Sequence, residues 1–154
     1  MNEILKYRKK MVEYQKSKNI KKMCMTNVQI LFDIIKSSDT NLNTIVKPKI
    51  VIGAFNEDTL KIIKAHLVIN IDNHIIDTSY EVMLLNNKYY FDNIKQFYDH
   101  IQKYKITQNF RFNHEEIQTF INFQKIAKDI NKGLFCISNK EYYNNLYNNL
   151  LNTL

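Results

Sequence analysis

A thiol, an imidazole and a carboxylate are the parts of a nucleophilic relay, and this chain carries the last two close together. Between Lys64 and Glu81, His66 heads one apolar, β-branched run and Asp77 lies near the end of the next, with Asp72-Asn73 between the runs. Asp and Asn tolerate the left-handed backbone of a tight hairpin turn. With two residues in that turn, Ile71 pairs with His74, Val68 with Asp77 and His66 with Ser79. Side chains alternate along a strand, so His66, Val68 and Asn70 would share a face with Ile75, Asp77 and Ser79. His66 and Asp77 would then be diagonal neighbours, about 7–8 Å apart at the backbone and within side-chain reach. A carboxylate so placed accepts the imidazole N–H and fixes its tautomer. A three-residue turn through His74 would instead move Asp77 to the opposite face, and a hairpin with a solvated His/Asp pair is the bland alternative.

The relay needs a nucleophile. Cys24 is expected to open a helix, where unpaired backbone N–H groups and the helix dipole favour a thiolate, with Lys21 and Lys22 just upstream adding positive charge. The other cysteine, Cys136, sits in Gly133-Leu134-Phe135-Cys136-Ile137, an apolar stretch after a helix-ending glycine, and reads as buried filler.

The elements that must position these residues follow from periodicity. Residues 2–17 carry Ile4, Leu5, Met11 and Val12 among basic residues and predict a partly exposed helix. From Cys24 to Ser37 the apolar stripe Cys24, Val28, Leu31 and Ile35 is widened by Ile30, Phe32 and Ile34, which predicts a buried central helix. The Ser37–Asn43 cluster is a loop by composition. Strands are expected at about 49–55, flanked by Pro48 and Asn56, then at 64–71, 74–80 and 88–91. Helices are expected over about 92–104, 114–131 and 140–152, with Asn113 capping the second and Glu115 and Glu116 in its first turn. The tail places Tyr143, Leu146, Tyr147 and Leu150 on one face, as a docking helix would. Helices, a small antiparallel sheet and helices again define an α+β domain. It is a single domain: a basic N-terminal segment over 1–22, a core over 23–91 and a helical C-terminal part over 92–154.

Bulk properties narrow the function classes. A chain of 154 residues, 45% hydrophobic and 12% aromatic, can bury one core. The net charge of +7 is concentrated in residues 1–22, which hold eight Lys/Arg against Glu3 and Glu13. That segment is a solvated helix face or, as an alternative, a nucleic-acid contact; no RRM, KH, helix-turn-helix or zinc-finger spacing supports the latter. His66, His74, His100 and His114 lack partners at zinc spacing, and neither a Walker A nor a G-x-G-x-x-G pattern occurs, so no metal or cofactor is expected. No apolar run approaches the roughly 20 residues that span a bilayer. Two cysteines and no leader pattern predict a reduced, cytoplasmic protein. The bias to Asn, Ile, Lys and Tyr, with two Gly and one Pro, is that of AT-rich coding DNA, as in large DNA viruses, parasites or low-GC bacteria.

Taken together, residues 20–82 resemble the transglutaminase-like superfamily of papain-fold cysteine enzymes. Met23-Cys24-Met25-Thr26-Asn27-Val28 looks like the block that opens the family's central helix. Ile50-Val51-Ile52-Gly53-Ala54-Phe55 resembles its V-x-G-y strand, Ala65-His66-Leu67-Val68 its histidine block, and Ile75-Ile76-Asp77-Thr78-Ser79-Tyr80-Glu81 its aspartate block. The chain departs from the pattern at Met23 for the usual Gly, Val68 for an aromatic and Thr78 for a Pro. The resemblance implies acyl transfer or hydrolysis of an amide or peptide bond through a thioester on Cys24. His66 would be general base and then acid, and Asp77 would orient the imidazolium. The backbone N–H of Cys24, with Asn19 as a candidate side-chain donor, would form the oxyanion hole. A protein or peptide is the implied substrate. Two further readings stand beside this one: a catalytically inactive protein-binding module of the same fold, and a nucleic-acid binder working through the basic segment.

Overall fold

The computed structural model describes residues 1–38, 42–56, 59–103 and 111–152. Two helices come first, α1 (Asn2–Lys18) and α2 (Cys24–Ser37). Four antiparallel strands follow, β1 (Thr44–Asn56), β2 (Thr59–Ile71), β3 (His74–Ile76) and β4 (Asn86–Phe91), with the short helix α3 (Tyr80–Met83) between the last two. Helices α4 (Ile94–Lys103), α5 (His114–Asn131) and α6 (Lys140–Asn152) complete the α+β arrangement. The strand order is β3-β2-β1-β4. The expected bounds of α2, α5 and α6 coincide with those observed, and Asn113 closes a full capping box with Glu116 on α5. Of the expected loop at 37–43, residues 39–41 lie outside the described residues, as does Tyr104 at the end of the expected helix over 92–104.

Helix α2 is the central helix: ten of its residues are buried, including Val28, Ile30, Leu31 and Ile35. Helix α1 buries Ile4, Met11 and Gln15 and leaves Leu5 exposed, as a half-solvated helix should. On α6, Tyr142, Tyr143, Leu146 and Leu150 are buried.

Three strand expectations need correction. The strand expected over 74–80 ends at Ile76, because the Asp77 carboxylate accepts the Ser79 N–H and bends the chain out of the ladder, and Tyr80 begins α3. Strand β1 starts at Thr44, so Pro48 lies inside it and does not flank it. Pro48 is accommodated because β4 pairs with β1 only from Ile50 onward, leaving one edge of 44–49 without a strand neighbour. The Asn131 side chain covers that edge, donating to Val46 O and accepting from Val46 N as a further strand would. Strand β2, expected over 64–71, extends back to Thr59.

The hairpin turn has two residues. Ile71 pairs with His74, Asn70 with Ile75 and Ile69 with Ile76, and Asp72 and Asn73 both take positive φ (48° and 69°), the left-handed pair of a type I′ turn. Register then sorts the sheet into two faces. Val46, Ile50, Ile52, Leu67, Ile69, Ile71, Ile76 and Phe91 share one face and are buried in two apolar clusters, to which α5 contributes Phe120 at one end and Ala127 and Ile130 at the other. Lys49, His66, Val68 and Tyr90 lie on the other face. Gly53 lets β4 close on β1: a Cβ there would stand 2.7 Å from Leu85 Cβ and 3.2 Å from Asn86 O.

Candidate functional site: a buried His–Asp pair at the start of α2

His66 follows a break in the β1–β2 ladder. Lys49 pairs with His66 but Val51 pairs with Ile63, so β2 carries one extra residue immediately before the histidine. A bulge increases local twist and re-aims the next side chain. The His66 ring is 1% exposed and Asp77 is 3% exposed, so the bland reading of a solvated pair does not hold. His66 Nε2 stands 2.9 Å from Asp77 Oδ1 and 3.0 Å from Oδ2.

Cys24 is the first residue of α2 and is 8% exposed. Its thiol lies beside the His66 side chain, close enough to help raise the pKa of the imidazole. Because Nε2 is committed to Asp77, Nδ1 is the ring nitrogen left for the sulfur. The structure therefore brings Cys24, His66 and Asp77 together in the order thiol, imidazole, carboxylate. The N–H groups of the first turn of α2, that of Cys24 among them, have no intrahelical acceptor and are available to a developing oxyanion.

Electrostatics favour the charged forms of the pair. Burial alone would push the His66 pKa down, but the Asp77 charge and hydrogen bond, with the contact to Cys24, outweigh it and hold the imidazole well above its ordinary value. Burial likewise opposes ionisation of Asp77, yet the His66 charge and hydrogen bond, followed by the Ser79 N–H and the Tyr90 hydroxyl, hold its pKa below the usual carboxylate range. Burial and the adjacent Asp77 charge raise the Tyr90 phenol far above its ordinary value, so Tyr90 stays a neutral donor.

Asn19 is not part of this constellation. Its side chain is exposed, and the residue ends α1 in the left-handed conformation (φ 51°), its N–H bonding Gln15 O and Lys16 O. Short polar side chains tolerate that conformation, which explains an asparagine there. Cys136 is half-buried and not fully buried as expected; its N–H donates to Gln29 Oε1 of α2, while Leu134 and Phe135 beside it are exposed.

Four residues that frame the site escaped the sequence reading. Gln15 is buried on α1 and donates to Met11 O and, at 2.6 Å, to Thr78 O. Its Oε1 accepts from Asn27 Nδ2 and from the Tyr80 N–H. Asn27, in turn, accepts the Tyr142 hydroxyl at 2.6 Å. One amide thus ties α2, which carries Cys24, to the segment that carries Asp77. Arg8 Nε donates to Asp77 O at 2.9 Å, so one cation of the basic segment is used inward. Tyr90 donates to Asp77 Oδ2 at 2.8 Å. The available signal for Gln15 was its place four residues after Met11 on the buried stripe of α1, where a polar side chain needs a partner.

Among the described residues, no group of three His, Cys, Asp or Glu side chains could hold a metal ion, and no helix is long and apolar enough to cross a membrane. No protein-family model, curated protein or solved structure matches the chain.

Proposed function

We propose that the protein is a cysteine enzyme of transglutaminase-like type with a papain-like core, which cleaves or transfers the acyl part of an amide or peptide bond in a protein or peptide substrate. The observation that carries this reading is the buried His66–Asp77 pair with the Cys24 thiol beside the imidazole at a helix N-terminus. In the neutral form of the imidazole, His66 Nδ1 takes the thiol proton, and the sulfur attacks the carbonyl carbon while the first-turn N–H groups receive the oxyanion. The C–N bond then breaks, the imidazolium gives its proton to the leaving amine, and a thioester remains on Cys24. Water, activated by His66, releases a carboxylic acid; an amine in its place gives a crosslinked amide. Asp77 keeps the imidazole in the tautomer that presents Nδ1 to the sulfur and stabilises the imidazolium. The cytoplasm, where thiols stay reduced, suits such a nucleophile.

Labelling with a peptide-amide electrophile across pH, followed by mass spectrometry of the modified cysteine, tests this. Label is expected on Cys24, abolished by Cys24→Ser, unaffected by Cys136→Ser, and slowed about 10²- to 10⁴-fold by His66→Ala, the range for loss of a general base. Cys24 that labels only in the unfolded chain would replace the enzyme with an inactive binding module, a reading favoured by its 8% exposure.

A further inference from the structure

The Asp77 carboxylate is held symmetrically. Oδ1 accepts the Ser79 N–H at 3.0 Å, Oδ2 accepts the Tyr90 hydroxyl at 2.8 Å, and His66 Nε2 lies almost equidistant from the two oxygens. A carboxylate turns easily about its Cβ–Cγ bond. One donor on each oxygen, besides the histidine, removes that freedom. The Ser79 donor is local, two residues along the chain. The Tyr90 donor comes from the opposite edge of the sheet: β3 and β4 are separated by β2 and β1. In a flat sheet, three strand spacings of about 4.8 Å would put them some 14 Å apart, beyond a tyrosine's reach. The sheet therefore curls toward the face that carries Lys49, His66 and Tyr90, and the tyrosine closes the curl on Asp77.

We propose that Tyr90 is a positioning residue of the His66–Asp77 pair, fixing the plane of the carboxylate so that both oxygens meet the imidazole. Its relevance to catalysis rests on the function proposed above, whereas its action on Asp77 does not. The charged and titratable groups around Asp77 are His66 from β2, Cys24 from α2, Arg8 from α1, and Lys88 and Tyr90 from β4, while α3 contributes Met83. Arg8 holds the Asp77 carbonyl and the Met83 sulfur, not the carboxylate. Among the described residues, Tyr90 is thus the side chain other than His66 that bonds the carboxylate itself.

Two variants with opposite expected signs test the proposal. Tyr90→Phe keeps the ring and removes the donor; 3,5-difluorotyrosine at position 90 keeps the hydroxyl and strengthens its donation, and burial keeps that phenol neutral. The readouts are the acid titration of the Asp77 side-chain carboxyl, followed by its carbon-13 shift, and the pH profile of Cys24 labelling. Tyr90→Phe should raise the Asp77 midpoint by about half to one pH unit, the effect of losing one donor to the charged form, and difluorotyrosine should lower it. Labelling by the phenylalanine variant should slow about three- to tenfold at neutral pH as the imidazole loses its alignment. If thermal stability falls while both titrations stay where they are in the unmodified chain, Tyr90 only packs and the proposal is overturned. An unreactive Cys24 in the unmodified chain would sink the enzyme reading, and the carbon-13 titration would still decide the role of Tyr90.

Discussion

Two cations oppose each other across the middle of the sheet, and each is met by a carboxylate that follows a strand. Lys49 on β1 and His66 on β2 are register partners. Asp92, directly after β4, pairs with Lys49, and Asp77, directly after β3, pairs with His66. The plan is the same and the outcome is not. The Lys49 side chain is buried, at 8% exposure, but that of Asp92 is 59% exposed, and the carboxylate, drawn down by its hydrogen bond to Lys49, faces water that screens the pair. Asp77 is enclosed, and both members of its pair depart from their ordinary pKa values in the direction that keeps them charged. A cross-strand cation with a carboxylate partner is therefore not what makes a site. Enclosure and additional donors do that, here the Ser79 N–H and the Tyr90 hydroxyl.

The contrast is broken most severely at Asp77. Asp77→Ala leaves an imidazole buried without its counter-charge and should lower unfolding free energy by about 3–5 kcal/mol, measured by urea denaturation at pH 7. The same experiment across pH carries a signature. Asp77, with a depressed folded pKa, contributes stability above the carboxylate's ordinary value of 3.8 that is lost as pH falls through its folded pKa. His66, with a raised folded pKa, contributes stability present in full below 6.5 that is lost as pH rises through its folded pKa. The unmodified chain should show both declines, and Asp77→Asn should flatten both.

Gln15→Ala comes next, because it strands Asn27 and the Thr78 carbonyl in the interior. A cost of about 2 kcal/mol is expected, with a slower reaction at Cys24, since the helix of the thiol and the segment of the carboxylate lose their common tie. Gly53→Ala forces β4 away from β1 against Leu85 and should cost about 1–3 kcal/mol. By moving β4 it should also lengthen the Tyr90–Asp77 bond, visible as a shift of the Asp77 carboxyl resonance. Asp92→Asn is the control at the small end: less than about 1 kcal/mol, diminishing further in 1 M salt. A loss at Asp92 as large as that at Asp77 would erase the distinction drawn between the two pairs.

Much of the site was legible because its register is a local property. Asp72 and Asn73 take left-handed backbone at small cost, the two-residue turn follows, and with it the shared face of His66 and Asp77. The start of α2 at Cys24 was legible for a similar reason, from an apolar stripe that begins there. The strand expected through Tyr80 failed because β-propensity is a property of several residues, whereas one carboxylate accepting one N–H turned the chain at Asp77. Helix α1 ends at Lys18, one residue past the expected end, and Asn19 takes the left-handed conformation that closes it.

The sequence by itself determined the α+β order of elements, the hairpin register and the chain order of thiol, imidazole and carboxylate, since each is set by periods of 2 or 3.6 and by turn chemistry within a few residues. Only the tertiary structure decided what surrounds the pair. Tyr90 reaches Asp77 because the sheet curls, Gln15 because α1 packs over α2 and the segment after β3, and Arg8 because α1 lies beside that same segment. Contacts between residues 63 to 69 positions apart along the chain, such as those of Gln15 and Arg8, depend on packing and leave no periodic trace in the sequence. The burial that separates the Asp77 carboxylate from that of Asp92 is of the same kind, because enclosure belongs to the assembled elements and not to any one of them.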